Sequence, residues 1–404
     1  MKTVSLWNTL AKRSFNSTQR QQLQPILTTY RMGDLDLKNR AVMCALTRQK
    51  AKREGEERGV PTDLHAEYYS KRAGDAGFIL TECTSISEDG DSFPGSTGIY
   101  NDKQVEGWKK VIEACHKQDG KIFLQIWHGG RACHPDHIGG KTPISSSPIP
   151  IKGKVFAGGK QVDHATPKEA TKDDINRLIE AFRKGAENAK KAGFDGIELH
   201  GANGYIIDQF LRDSNQRTDE YGGSYENRLR FCSQVLDQLI NVFGKERVGI
   251  KISPVNDYNG MSHSDPLKLV EHLVNLFNQK NIAFLELTEG FSLEGRDASL
   301  RKAFYQDRAE KSFREIFKNK FNGTWITNHG FTKDTANQAI EKGETDLVSF
   351  GQLYVANDDL VNKFRNGQEV NKMQNADMKQ LMNYLYGDLG ALGYTDLSVY
   401  QKKK

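Results

Sequence analysis

Eight short β-rich runs recur along this 404-residue chain: RAVMCAL (40–46), GFILTE (77–82), KIFLQIW (121–127), FDGIELH (194–200), RVGIKIS (247–253), IAFLELTE (282–289), TWITN (324–328) and DLVSFG (346–351). Amphipathic segments separate several of them. In the clearest, Ile175, Leu178, Ile179, Phe182, Ala186 and Ala189 recur at helical spacing, with Thr171 and Asp174 as a capping signal and Gly193 as a stop. Strands alternating with helices eight times predict an α/β fold, a single closed parallel (β/α)8 TIM barrel. The stretch from Gly129 to about Thr171, rich in Gly, Pro and Ser, is too long for an ordinary connection and predicts an excursion after strand three that covers the barrel mouth. There is no internal repeat or linker, so the barrel is expected over 23–404, behind an N-terminal extension, 1–22.

Composition excludes several classes. No run approaches the roughly 18 apolar residues of a membrane span, so no membrane role is expected. The net charge of +5 is concentrated at the start: residues 1–22 hold Lys2, Lys12, Arg13 and Arg20 and no acid, which leaves the body at +1. A nearly neutral body lacks the basic face that nucleic acid requires. The acid-free start reads either as a mitochondrial presequence or as a disordered tail. The expected location is therefore cytoplasmic, with the mitochondrial matrix as the alternative. Five cysteines lie far apart with no C-x-x-C pair, which predicts neither a disulfide framework nor a metal site.

Chemistry on such a barrel sits at the C-terminal strand ends. There the sequence puts Thr47, Glu82, Gln125, Trp127, His200, Lys251, Asn328 and Gly351. Donors and acceptors around one mouth suit a large heteroaromatic cofactor. TNHGF (327–331) and FGQLY (350–354) put glycines after strands seven and eight, the usual place for a phosphate in this fold.

The chain resembles the Old Yellow Enzyme family of FMN-dependent ene-reductases, in particular its oxophytodienoate and N-ethylmaleimide reductase branches. The resemblance runs from about Gln24 to Tyr400. It rests on MGDLDLKNRAVMCALTR, HAEYYSKRA, FILTECTSIS, LQIWHGGR, the long block AGFDGIELHGANGYIIDQFLRDSNQRTDEYGGSYENRLRF, and NHGF and FGQLYVANDDL. It implies bound FMN, with NADPH or NADH as reductant and an activated alkene as substrate, in a monomer or homodimer. Thr47 matches the threonine beside flavin N5, Gln125 the glutamine on the pyrimidine edge, and Lys251 a basic residue near N1 that is usually arginine. His200 and Asn203 match the pair that grips the substrate carbonyl, and Tyr205 the proton donor to the α-carbon after hydride reaches the β-carbon. Trp127 shapes the pocket. Ala45, Cys83, Asn328, His329, Gly330, Gly351 and Gln352 complete the expected cofactor contacts, while Tyr68, Asp208, Gln209, Arg217 and Asp219 are expected to be scaffold.

Some positions depart from the family pattern. Gln352 replaces the arginine that clasps phosphate, His329 replaces a glycine, Cys83 a Gly or Ala, and Ala45 a proline. Leu397 stands for a substrate-side tyrosine. The loss of a bidentate charged contact is expected to weaken FMN binding. A non-catalytic barrel that binds or stores ligands is the alternative reading. Larger relatives with an iron–sulfur cluster and a second nucleotide domain do not fit the length or the cysteines.

Overall fold

The computed structural model describes residues 24–289, 311–373 and 378–401; the expected extension 1–22 lies outside them. Eight strands of one ten-stranded parallel sheet make the barrel. They are β1 (Ala41–Met43), β2 (Phe78–Leu80), β3 (Ile122–Trp127), β4 (Gly196–Gly201), β5 (Val248–Ile252), β6 (Phe284–Thr288), β7 (Thr324–Asn328) and β8 (Leu347–Phe350). Neighbours pair in chain order, β8 returns to β1, and β4 pairs with β3, so the sheet closes. Helices lie between strands, among them Asp63–Ala73, Asp102–His116, Tyr225–Phe243 and Pro266–Lys280. The helix Lys172–Ala192 has the expected ends: Thr171 and Asp174 form a reciprocal capping box, and Gly193 stops it at φ 102°. From its apolar stripe Ile175, Leu178, Phe182, Ala186 and Ala189 are fully buried, and Ile179 is half-buried.

The inner face of the barrel is layered by the two-residue period of its strands. Lowest, Phe78, Phe123 and Phe284 meet in a triangle with centroids 5.1, 5.7 and 5.8 Å apart. The rings fit because β4 and β5 carry glycine at this level. A Cβ on Gly196 would run into the Phe123 ring, and one on Gly249 into Phe284. The hairpin of Tyr30–Met32 and Leu35–Leu37 closes the floor, burying Met32, Leu35 and Leu37 against the same cluster. Two residues further along the strands the lining becomes polar, and the site begins there.

The excursion after β3 contains two 3-10 turns, Gly130–Ala132 and Pro135–His137, and a hairpin of Lys154–Ala157 with Lys160–Asp163. It covers the mouth, as expected, with Ile151, Val155 and Phe156 on the wall of the cavity there.

Candidate active site

The first polar layer consists of Gln125 on β3, Glu198 on β4, Lys251 on β5 and Glu286 on β6. Register sets Gln125 beside Glu198 and Lys251 beside Glu286. Gln125 Nε2 donates to Glu198 Oε2 at 2.6 Å, and Lys251 Nζ to Glu286 Oε1 at 3.2 Å. Asn328 on β7 and Ser349 on β8 also donate to Glu286 Oε1, at 2.9 and 2.7 Å. Burial pulls the Lys251 pKa down, but Glu286, Cys44 and Glu198 outweigh it and hold the ammonium above its usual value. Glu198 and Glu286 were absent from the sequence-based site because that reading stopped at strand ends. The signal was there: a step of two back from His200 gives Glu198, and a step of two on from Phe284 gives Glu286.

Above this layer the stretch HGANGY leaves β4. Burial and Lys251 push the His200 pKa down to about 3, so the ring is neutral. Its Nδ1 accepts the Ala202 N–H at 3.3 Å, which assigns the proton to Nε2. Asn203 sits at φ 56°, a left-handed position that asparagine tolerates. Its N–H donates to Ser253 Oγ at 2.8 Å, and its Oδ1 accepts from Asn256 Nδ2 at 2.9 Å, leaving Asn203 Nδ2 as the outward donor. Tyr205 precedes the helix Ile206–Leu211. Its ring meets His200 edge-on at 5.0 Å and Trp127 at 5.2 Å. Burial holds the Tyr205 phenol well above its ordinary range, so the hydroxyl keeps its proton.

Gln209 locks this turn. Its amide donates to Gly204 O at 2.7 Å and to Gly129 O at 3.2 Å, and its Oε1 accepts from Ser145 Oγ and the Arg131 N–H. Asp208 takes the Gly204 N–H at 2.9 Å. Further out, Arg217 grips Asp219 with two nitrogens and donates to Ala170 O at 2.7 Å. Tyr68 stacks on Tyr394 with centroids 4.1 Å apart.

Thr47 Oγ1 lies 3.0 Å from Cys83 Sγ across the ends of β1 and β2, and burial pushes the thiol up to about 12. Trp127 is fully buried and stacks on Phe93. Ala45 packs beside the floor cluster. At the far end, His329 and Gly330 have positive φ (106° and 71°), and a Cβ on Gly330 would meet nothing within 4 Å. Gly351 is tight against Cys44 Sγ, and Gln352 is exposed. Asn328 Nδ2 donates to Glu286 Oε1 and Ser349 Oγ.

The mouth opens into a cavity of about 1620 Å³. Phe93, Ala132 and Ile151 belong both to its wall and to the apolar cluster around Trp127 and Tyr205. The large hydrophobic side chains exposed among the described residues, Phe156, Tyr258 and Met382, also stand on this wall. The C-terminal helix Met378–Tyr386 supplies part of it, which no local sequence signal foretold. Arg48, next to Thr47 and 1% exposed, ties that segment down by donating to Gly393 O at 2.6 Å and Leu385 O at 3.3 Å. Leu397 packs in the C-terminal apolar cluster, and the C-terminal segment puts Tyr386 on the cavity wall.

A closed (β/α)8 barrel with this polar ring beneath a large cavity at the C-terminal strand ends has the form of an enzyme barrel. Residues 25–371 match the NADH:flavin oxidoreductase / NADH oxidase family. Similar proteins include 12-oxophytodienoate reductase 7 of Oryza sativa subsp. japonica, 37% identical over 94% of this chain and 95% of its own. A flavin oxidoreductase of Emericella nidulans is 36% identical over 87% of this chain and 92% of its own. Among solved structures, the old yellow enzyme homologue from Zymomonas mobilis superposes with a TM-score of 0.82 at 33% identity, covering 94% of this chain and 99% of the other. Morphinone reductase in complex with tetrahydroNAD gives 0.80 at 33% identity, covering 94% and 98%. The chain belongs to the NADH:flavin oxidoreductase / NADH oxidase family, as an FMN-dependent oxidoreductase of the Old Yellow Enzyme type.

Proposed function

We propose that this protein reduces the C=C bond of α,β-unsaturated carbonyl compounds or related activated alkenes, with NADPH or NADH as reductant. The residues present fit FMN. Gln125 and Lys251 address a pyrimidine edge, Thr47 the region of N5, and the open positive-φ turn at His329–Gly330, with Gly351, leaves room for a phosphate held on backbone N–H groups. Bound FMN supplies hydride transfer from the nicotinamide to the alkene.

The chain's own residues supply the rest. His200 Nε2–H and Asn203 Nδ2–H are donors for a substrate carbonyl oxygen, where negative charge builds as the β-carbon is reduced. Each such donor is worth about 2.7–4 kcal/mol at comparable sites. Tyr205 gives a proton to the α-carbon, a step worth roughly 100- to 10,000-fold. Trp127 and Phe93 wall the site with apolar surface and limit water. The observation that carries this reading is the convergence of a neutral His200, an anchored Asn203 and a protonated Tyr205 on one turn.

The exposed Gln352 supports the second reading, a barrel that binds FMN weakly and acts without catalysis. Titrating the purified protein with FMN, then mixing it with NADPH or NADH and a simple cyclic enone, separates the two. Flavin uptake with enone consumption is expected. A protein that takes up no FMN, or takes it up and leaves every enone unreduced, would be the non-catalytic barrel.

A further inference from the structure

Glu198 and Glu286 are two carboxyls in the barrel interior with one ammonium between their strands. Each is fully buried. One oxygen of each is engaged: Glu198 Oε2 by the Gln125 amide, Glu286 Oε1 by Lys251, Asn328 and Ser349. The other oxygens, Glu198 Oε1 and Glu286 Oε2, are buried without a donor. Besides burial, the Glu286 carboxylate also raises the Glu198 carboxyl above its ordinary value. Two ionised carboxylates near each other repel, and a single Lys251 cannot offset both in a low-dielectric interior. One proton on the pair leaves one anion for one cation.

We propose that Glu198 and Glu286 share one proton, carried on Glu198, so that Glu286 alone is the counter-ion of Lys251 and the pair sets what the barrel presents to a flavin's pyrimidine edge. This inference rests on the FMN reading above. Two consequences follow from the contacts. Because Glu198 Oε2 takes one Gln125 N–H, the amide is fixed with its oxygen and its second N–H left for a ligand. Because Glu286 balances Lys251, the edge meets a neutralised ammonium rather than a free positive charge. The other titratable groups facing Lys251 are Cys44, whose thiol burial pushes up to about 12, and His200, so neither carries charge. Burial, then Glu286, hold the Glu198 carboxyl well above the carboxylate range. Glu198 and Glu286 are positioning residues here, acting through Gln125 and Lys251.

The test has two arms. In infrared difference spectra of the protein without flavin, near neutral pH, wild type minus Glu198→Gln should show the carbonyl band of a protonated carboxylic acid; its absence overturns the shared proton. In FMN-loaded protein equilibrated with a reference dye, Glu198→Gln, which mimics the neutral acid, should leave the two-electron equilibrium within about twofold of wild type. The double variant Glu198→Gln, Glu286→Gln leaves Lys251 without an anion and should favour reduced flavin at least tenfold, about 30 mV upward. A rise in the single variant equal to that in the double, or no rise in the double, overturns the proposal. Wild-type protein that takes up no FMN sinks the flavin reading instead, and the infrared arm still decides the proton.

Discussion

Gln209 is a side chain whose removal can be costed from its contacts. It is 0% exposed and joins three segments: the turn after β3, the excursion at Ser145, and Gly204 between Asn203 and Tyr205. Gln209→Leu keeps the volume and deletes both polar atoms. Four groups then lose a partner: Gly204 O, Gly129 O, the Arg131 N–H and Ser145 Oγ. Water has little room to replace the amide, because even a Cβ on the adjacent Gly130 would collide with it. Each buried group left unpaired costs about 1–3 kcal/mol, and the new apolar surface returns about 1–2 kcal/mol. Costs at neighbouring sites are not additive, so the net expectation is about 3–6 kcal/mol. Gln209→Glu should be no better, since it puts a carboxylate oxygen against two carbonyl oxygens. Urea unfolding without flavin, followed by tryptophan fluorescence, reads the change as a shift in midpoint at constant slope. A loss under about 1 kcal/mol for Gln209→Leu would refute the view that this amide holds the HGANGY turn.

Tyr205→Phe removes a hydroxyl but keeps the edge-on packing with Trp127 and His200, so stability should change by less than about 0.5 kcal/mol. Nicotinamide should still reduce the bound flavin at the wild-type rate, whereas alkene reduction slows roughly 100- to 10,000-fold; rapid mixing of the separate half-reactions distinguishes them. His200, at about 3 in the fold against 6.5 when free, stays neutral while the unfolded chain takes up a proton. Its contribution is therefore intact above about pH 6.5 and declines as pH falls toward 3, by about 2–3 kcal/mol between about pH 7 and about pH 4.5. Comparing the pH dependence of unfolding with that of His200→Asn, which should lack this part of the decline, checks the sign. Arg48→Met deletes the donors to Leu385 O and Gly393 O, and amide exchange should accelerate selectively across residues 378–401; uniform exchange across the chain would remove the proposed latch.

The eight strands were legible because barrel strands are short apolar runs punctuated by helical periodicity, and each observed strand overlaps its run, with β4 reaching one residue further to Gly201. The turn HGANGY was legible for a related reason: its polar residues directly follow a strand, where the barrel's geometry points them at the mouth. Glu198 and Glu286 were partly legible, since the period of two assigns them inward. Their partnership was not, because it depends on which strands become neighbours and at what register. The wall built by the C-terminal helix had no local trace at all, since Arg48 and Gly393 lie far apart in the chain.

Periodicity and strand-end chemistry, which are local, therefore determined the barrel, its polar mouth and the position of the HGANGY turn. Only the tertiary structure decided that Gln125 hands its N–H to Glu198 and that one lysine faces two carboxyls, because closing the barrel brings four separate strands to one level. It also decided that the C-terminal segment forms part of the mouth, because Arg48 is buried where that segment's carbonyls are its acceptors.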